Sequence, residues 1–245
     1  MFLLEELGVP YDIDVHHRDK KTKLSPPEAD KLHLLGKFPI VTITSPDLAS
    51  PITLAESAFI IHYMTDHFKG AKKLVPTRWK DGQEGKLGGE TESWMRYQYL
   101  MYYVEGSFMF PMLVYFFGYI LKSKDIPWFI RPLTTFIANK IIATAVFPNA
   151  KRHFTMLEQY LARSPEGGNY LCGPHLTGAD IMLTYPFLGG LKVNAFNDMG
   201  AWEKGSFEDT FPKLQAYMLR LSEEEGWKRS VEKIKKIEGS FEIMP

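Results

Sequence analysis

The apolar positions follow two regimes along the chain. Up to residue 70 they form short runs broken by Gly and Pro; beyond residue 90 they step by three and four over long stretches. Phe2, Leu3, Leu4 and Leu7 repeat at helical spacing, and Gly8-Val9-Pro10 ends that pattern. Tyr11-Asp12-Ile13-Asp14-Val15 alternates apolar with polar, which predicts a half-buried strand, with His16 to Lys21 as its polar exit. Pro26-Pro27-Glu28 opens a short helix through Leu32, since Pro suits a first helical turn. Pro39 then stands just ahead of the apolar strand Ile40-Val41-Thr42-Ile43, one of the few strand positions a proline tolerates. A turn and a second short strand lead into Glu56-Ser57 and the apolar helix that follows. The order is helix–strand–helix–strand–strand–helix. A βαβ unit needs one more strand ahead of the first helix, and that strand is expected before Met1.

Gly70 to Gly89 has the composition of a linker. After it, Trp94, Tyr97, Leu100, Met101, Val104 and Phe108 mark a long helix. The apolar run Phe108 to Leu121 falls short of the roughly 18–20 residues a membrane span needs, and it holds Pro111 and Gly118. It reads as a buried or interface helix, with membrane-surface contact as the lesser alternative. A further helix is expected between Leu133 and Arg163, kinked or broken at Pro148. In Leu176-Thr177-Gly178-Ala179-Asp180-Ile181, Thr177 and Asp180 have the spacing of a capping box, with Leu176 and Ile181 as its apolar staple. This pair is structural and seeds a buried helix. Another helix opens at Pro212, and the charged tail continues helical through Lys236.

Composition narrows the function. Hydrophobic residues make up 45% of the 245, enough for a core. Lys+Arg 29 against Asp+Glu 29 leaves no net charge, which argues against a nucleic-acid partner. The single Cys excludes an internal disulfide and fits a reducing compartment. Cys172 sits in an apolar turn and reads as packing rather than as a nucleophile. Met1-Phe2-Leu3-Leu4 is followed at once by Glu5-Glu6, so no secretory signal is expected. No His, Cys, Asp and Glu set has metal-ligand spacing.

Between Leu32 and Met64, two features stand out. A proline opens a strand edge, and Ser57 opens a helix whose N-terminus attracts anions. Taken alone, Pro39 reads as an ordinary trans strand start, and Glu56-Ser57 as a plain helix start. Together they suit the capture of a small peptide carrying a carboxylate.

The order of these segments resembles the cytosolic glutathione S-transferases. The carrying motifs are Leu3-Leu4-Glu5-Glu6-Leu7-Gly8-Val9-Pro10-Tyr11, Gly36-Lys37-Phe38-Pro39, Leu54-Ala55-Glu56-Ser57-Ala58-Phe59-Ile60 and Leu176-Thr177-Gly178-Ala179-Asp180-Ile181. His33 with Leu35-Gly36, and Tyr102-Tyr103-Val104-Glu105-Gly106-Ser107 followed by Pro111, resemble the fungal type related to yeast glutathione transferase I. The resemblance implies an α/β thioredoxin-like domain over 1–72, a linker over 73–89 and an all-helical domain over 90–245.

It also implies a cis peptide at Pro39 and a glutathione site at Lys37, Phe38, Pro39, Glu56 and Ser57. In that site Phe38 offers its backbone to the cysteinyl part, Ser57 takes the γ-glutamyl carboxylate, Glu56 lies near the amino group and Lys37 faces the glycyl carboxylate. Tyr103, Ser107, Phe108 and Met112 would wall an electrophile pocket. The thiolate-stabilising residue of the family falls before Met1, so no catalytic residue is assigned. The activity implied is conjugation of glutathione, as co-substrate and without a metal, to an apolar electrophile, such as a secondary-metabolite intermediate. Glutathione-dependent isomerisation or peroxidase activity, and a non-catalytic glutathione-binding scaffold, are the alternatives. A cytoplasmic homodimer is implied, with peripheral association with the endoplasmic reticulum membrane as the alternative.

Overall fold

The computed structural model describes residues 1–19 and 24–242; Lys20 and Lys21 of the expected polar exit lie outside them. The chain opens with α1 (Phe2–Leu7), closed by Gly8 at φ 64°, whose N–H bonds the carbonyls of Leu4 and Glu5. Residues 11–15 carry no regular secondary structure, contrary to the strand their alternation predicts. Alternation favours an extended chain, but a strand also needs a neighbour for its backbone groups. The sheet among the described residues has two strands only, β1 (Ile40–Ile43) and β2 (Ile52–Ala55), paired antiparallel with Ile40 opposite Ala55. The short α2 (Ala29–Leu32) precedes this hairpin, and α3 (Ser57–His67) follows it directly. This is a small thioredoxin-like α/β layer ahead of an all-helical domain.

The helical domain is built on two long rods. α4 (Glu92–Tyr103), a π-helical turn at Val104–Phe108 and α5 (Met109–Lys122) run on as one helix of 31 residues. By length and composition it could cross a membrane, unlike the shorter run read from the sequence. Its first half is committed elsewhere, with Tyr97, Leu100 and Met101 buried in the core.

The second rod is α6 (Arg131–Ile141), a π-helical turn at Ile142–Val146 and α7 (Phe147–Ala162). Pro148 therefore neither breaks nor ends its helix. A helical proline lacks an N–H and presses on the carbonyl four residues back. For Pro111 and Pro148 those residues are Ser107 and Thr144, and each lies inside a π turn. There the bonds reach one residue further, from Met109 N–H to Val104 C=O and from Phe147 N–H to Ile142 C=O. Each helix accommodates its proline by widening one turn.

The rods pack on α8 (Gly178–Lys192), the short α9 (Ala195–Asp198) and α10 (Phe207–Thr210), and α11 (Pro212–Glu223); α12 (Glu225–Glu238) ends the chain. Fully buried Phe154 centres an aromatic cluster with Phe108, Phe196, Phe207 and Trp202. The capping box forms as its spacing predicts. The Asp180 carboxylate accepts the Thr177 N–H at 2.7 Å and its hydroxyl at 2.6 Å, and the Tyr217 hydroxyl at 2.6 Å from α11. Burial still pushes the Asp180 carboxyl up, so these donors are what hold a charge there.

Two contacts tie the layers together. Gly178, at the start of α8, lies against α3 and α4 so closely that an added Cβ would fall 2.6 Å from Ile61 Cγ2 and 3.2 Å from the Tyr97 hydroxyl. At the other side, α1 packs on α12. There Glu5 accepts from Arg229 at 2.9 Å and Tyr11 at 2.5 Å, with Lys233 Nζ at 2.6 Å.

Gly178→Ala is expected to destabilise the protein by about 1–3 kcal/mol through overpacking, read as a lower urea midpoint. The second prediction concerns acid. Its partners hold the Glu5 carboxyl down to about 2, with the Lys233 contact as the largest cause. The stabilisation is present above the ordinary value of 4.5 and is lost as pH falls toward about 2. Thermal melts across that interval should show Glu5→Gln losing less stability on acidification than the unsubstituted chain.

Candidate functional site

The β1–β2 register sets the site. Because Ile40 pairs with Ala55, the residues just outside the ladder at that end are Pro39 on one strand and Glu56 on the other. A one-residue slip would turn every side chain to the opposite face, so the apolar pattern fixes this end of the hairpin. The Phe38–Pro39 peptide is cis. The N–H and C=O of Phe38 take no partner among the described residues, so its backbone is open to an extended ligand. Lys37, Phe38 and Pro39 are exposed. His16 stacks on the Phe38 ring with centroids 5.0 Å apart. The sequence places His16 among solvated strand-end residues; the structure makes it a half-buried support for the site.

Glu56 sits at φ 70°, ψ 118°, a conformation that side chains other than glycine rarely hold. Such a residue costs of order 1–3 kcal/mol and persists where the surroundings impose it. It lets the chain turn from β2 straight into α3, so that half-buried Ser57 is the first helical residue. Glu56 makes no side-chain cap, so it leaves the first N–H groups of α3 without a cap from its own side chain. With the Ser57 hydroxyl they make a candidate site for a carboxylate.

A second acid completes the picture. The π turn places Glu105, Gly106 and Ser107 outward while Val104 and Phe108 point into the core. Burial, together with the negative charge of Glu56, pushes the Glu105 carboxyl above the ordinary carboxylate range. Neither acid has an ion-pair partner among the described residues. Two acids that sense each other and lack a cation suit an ammonium group. Ser57 with the α3 N-terminus suits the carboxylate of the same amino acid. Sequence reasoning gave Glu105 no role, although the Tyr102–Ser107 motif contained it.

The expected electrophile wall is altered. Phe108 is fully buried in the aromatic cluster. Tyr103 is also buried, with its hydroxyl 2.7 Å from His153 Nδ1. These two are core, Tyr103 as the last residue of α4 and Phe108 as the last of the π turn. Ser107 remains exposed, and Met112 is half-buried. Surface clefts lined by Glu92, Arg96 and Tyr160, and by Lys151, Arg152 and Met156, share no residue with the site. Cys172 is buried and its thiol is pushed up by burial, which disfavours the thiolate.

Known proteins resemble this chain in sequence and in fold. Residues 142–220 match the glutathione S-transferase, C-terminal domain family. Glutathione S-transferase 1 of Saccharomyces cerevisiae is 25% identical over 241 residues, 98% of this chain and 92% of the relative. Glutathione S-transferase 3 of Schizosaccharomyces pombe is 26% identical over 192 residues, 78% of this chain and 69% of the relative. The glutathione transferase URE2P6 from Phanerochaete chrysosporium, solved with oxidized glutathione, superposes with a TM-score of 0.63 at 21% identity, covering 96% of this chain and 90% of that one. A sphingomonad glutathione S-transferase solved with glutathione gives a TM-score of 0.59 at 20% identity, covering 97% and 92%. The chain therefore has the glutathione S-transferase fold, matches that family's C-terminal domain over residues 142–220, and is similar to a yeast glutathione S-transferase along nearly its whole length.

Proposed function

We propose that the protein is a glutathione transferase, which binds glutathione at the Pro39–Glu56 end of the hairpin and conjugates its sulfur to an apolar electrophile. The observation that carries this reading is the convergence of three features at that end. They are an open backbone at Phe38, a carboxylate site at Ser57 and the start of α3, and the paired acids Glu56 and Glu105.

Glutathione offers a group for each. Its γ-glutamyl head is a zwitterion, with a carboxylate for Ser57 and an ammonium for Glu56 and Glu105. Its cysteinyl amide runs along Phe38 as a further strand would. Its glycyl carboxylate falls toward Lys37. The thiol of free cysteine, with a pKa of about 8.5, is mostly protonated at neutral pH, and the thiolate is the nucleophile. The electrophile would approach over the outward face of the π turn, from Ser107 to Met112. The reading includes a cytoplasmic homodimer and, as substrate, a secondary-metabolite intermediate. Isomerisation and hydroperoxide reduction draw on the same bound thiolate.

The test is calorimetric titration with glutathione, followed by turnover of a model aryl halide. Binding without turnover of an aryl halide, a hydroperoxide or an isomerisable enone would identify a glutathione-binding scaffold; absence of binding would overturn the assignment. Ser57→Ala is expected to weaken glutathione binding by about 1–3 kcal/mol, the loss of a hydrogen bond to a charged group. Glu105→Gln should weaken binding near neutral pH and change its pH dependence. In the unsubstituted chain, affinity should fall as pH drops through the raised Glu105 pKa, because protonation removes the charge facing the ammonium. In Glu105→Gln that limb of the titration should be absent.

A further inference from the structure

We infer that Gly106 is a specificity-determining residue, which keeps a slot open between Tyr102 and Phe110 for a flat, uncharged, multi-ring group on the glutathione sulfur. This rests on the glutathione-binding reading above and names the class of electrophile such a site would take.

Nothing in the fold requires a glycine at residue 106. Glycine inside a helix lowers stability relative to alanine, so it needs a cause. The usual causes are a positive φ and a close neighbour. Gly106 does not have a positive φ. Added Cβ atoms at Gly118, Gly178 and Gly190 would meet side-chain atoms at 3.0, 2.6 and 2.3 Å, whereas at Gly106 nothing lies within 4 Å. The π turn is no cause either, since the one at Ile142–Val146 forms without a glycine.

The position of Gly106 supplies a cause. It follows Glu105, whose carboxyl feels the charge of Glu56 at the end of the hairpin, and it is exposed. Glutathione has to reach Glu56 and Ser57 in any assembly of the chain, so the surface beside Glu105 has to stay open to it. A glycine there lets a ligand come down onto the helix backbone, which a Cβ would hold off.

The neighbours define the ligand. Residues four apart on a helix share a face. Tyr102 stands four residues before Gly106 and Phe110 four after, 72% and 66% exposed. Two large rings with no side chain between them make a slot with aromatic ends and a peptide floor. Such a slot suits a flat ring system, which packs edge-to-face or offset against both ends. From Gly106 to Leu121 the chain carries no charged residue, so an uncharged ring is favoured.

Calorimetric titration with two glutathione conjugates tests this without requiring turnover. S-methylglutathione reports the glutathione site, and S-(naphthylmethyl)glutathione adds the rings. The unsubstituted chain should prefer the naphthylmethyl conjugate by about tenfold or more. Gly106→Leu should remove most of that preference, and Tyr102→Ala with Phe110→Ala should reduce it from the two ends. Gly106→Ala should raise the melting temperature by about 1–3 °C, because nothing opposes its Cβ. A Gly106→Leu melt no lower than that of the unsubstituted chain shows that the lost preference is not unfolding. Equal preference in Gly106→Leu and the unsubstituted chain would overturn the inference and leave the glutathione site standing. So would equal affinity of the unsubstituted chain for the two conjugates. Failure of both conjugates to bind would overturn the glutathione reading itself and this inference with it. A dimer that Gly106→Leu converts to monomer in sedimentation velocity would assign the space to a second copy instead.

Discussion

A four-residue antiparallel ladder decides which segments meet at the candidate site. The pairing of Ile40 with Ala55 brings the cis-proline turn and the start of α3 to one end of the hairpin. Neither is a site alone, since a proline edge has no charge selectivity and a helix start no sense of peptide length. Only the register makes them neighbours. The positive φ of Glu56 is a local cost of that arrangement, because the turn from strand into helix leaves no room for ordinary geometry. Ladder and helix packing together impose it, through Leu54 and Ile60 in the core.

The helical domain supplies the other half through an irregularity. Proline in a helix interior usually breaks or kinks it. Here two prolines are absorbed by π turns, and Glu105 in one of these feels the charge of Glu56. The widened turn changes which residues face outward. Glu105 reaches the neighbourhood of Glu56, while Tyr103 and Phe108 enter the aromatic core. Accommodating Pro111 and presenting an acid to the site are thus the same structural event.

The layers are held together by contacts of opposite kinds. Between α8 and α3, the absence of a side chain at Gly178 permits close approach. Between α1 and α12, the Glu5 carboxylate gathers Arg229, Lys233 and Tyr11. Along α5 and α6, Tyr115 and Ala138 enter the core while Phe117, Leu133 and Phe136 stay exposed.

The sequence by itself determined the parts whose causes are local. Thr177 and Asp180 form the predicted capping box because the box spans four residues, and α11 starts at Pro212 for an equally local reason. The hairpin and the start of α3 were legible in the same way, as was burial of Cys172 in its apolar turn. What only the tertiary structure decided depends on distant neighbours. Alternation at residues 11–15 suggested a strand, but a strand is completed by its partner. Periodicity marked Phe108 to Leu121 as apolar, yet it could not say which residues a neighbour would cover. It likewise could not foresee that a π turn would exchange Phe108 for Glu105 on the face toward the site. Hydrophobic pattern records which residues avoid water, whereas the long-range packing of helices decides which of them succeed.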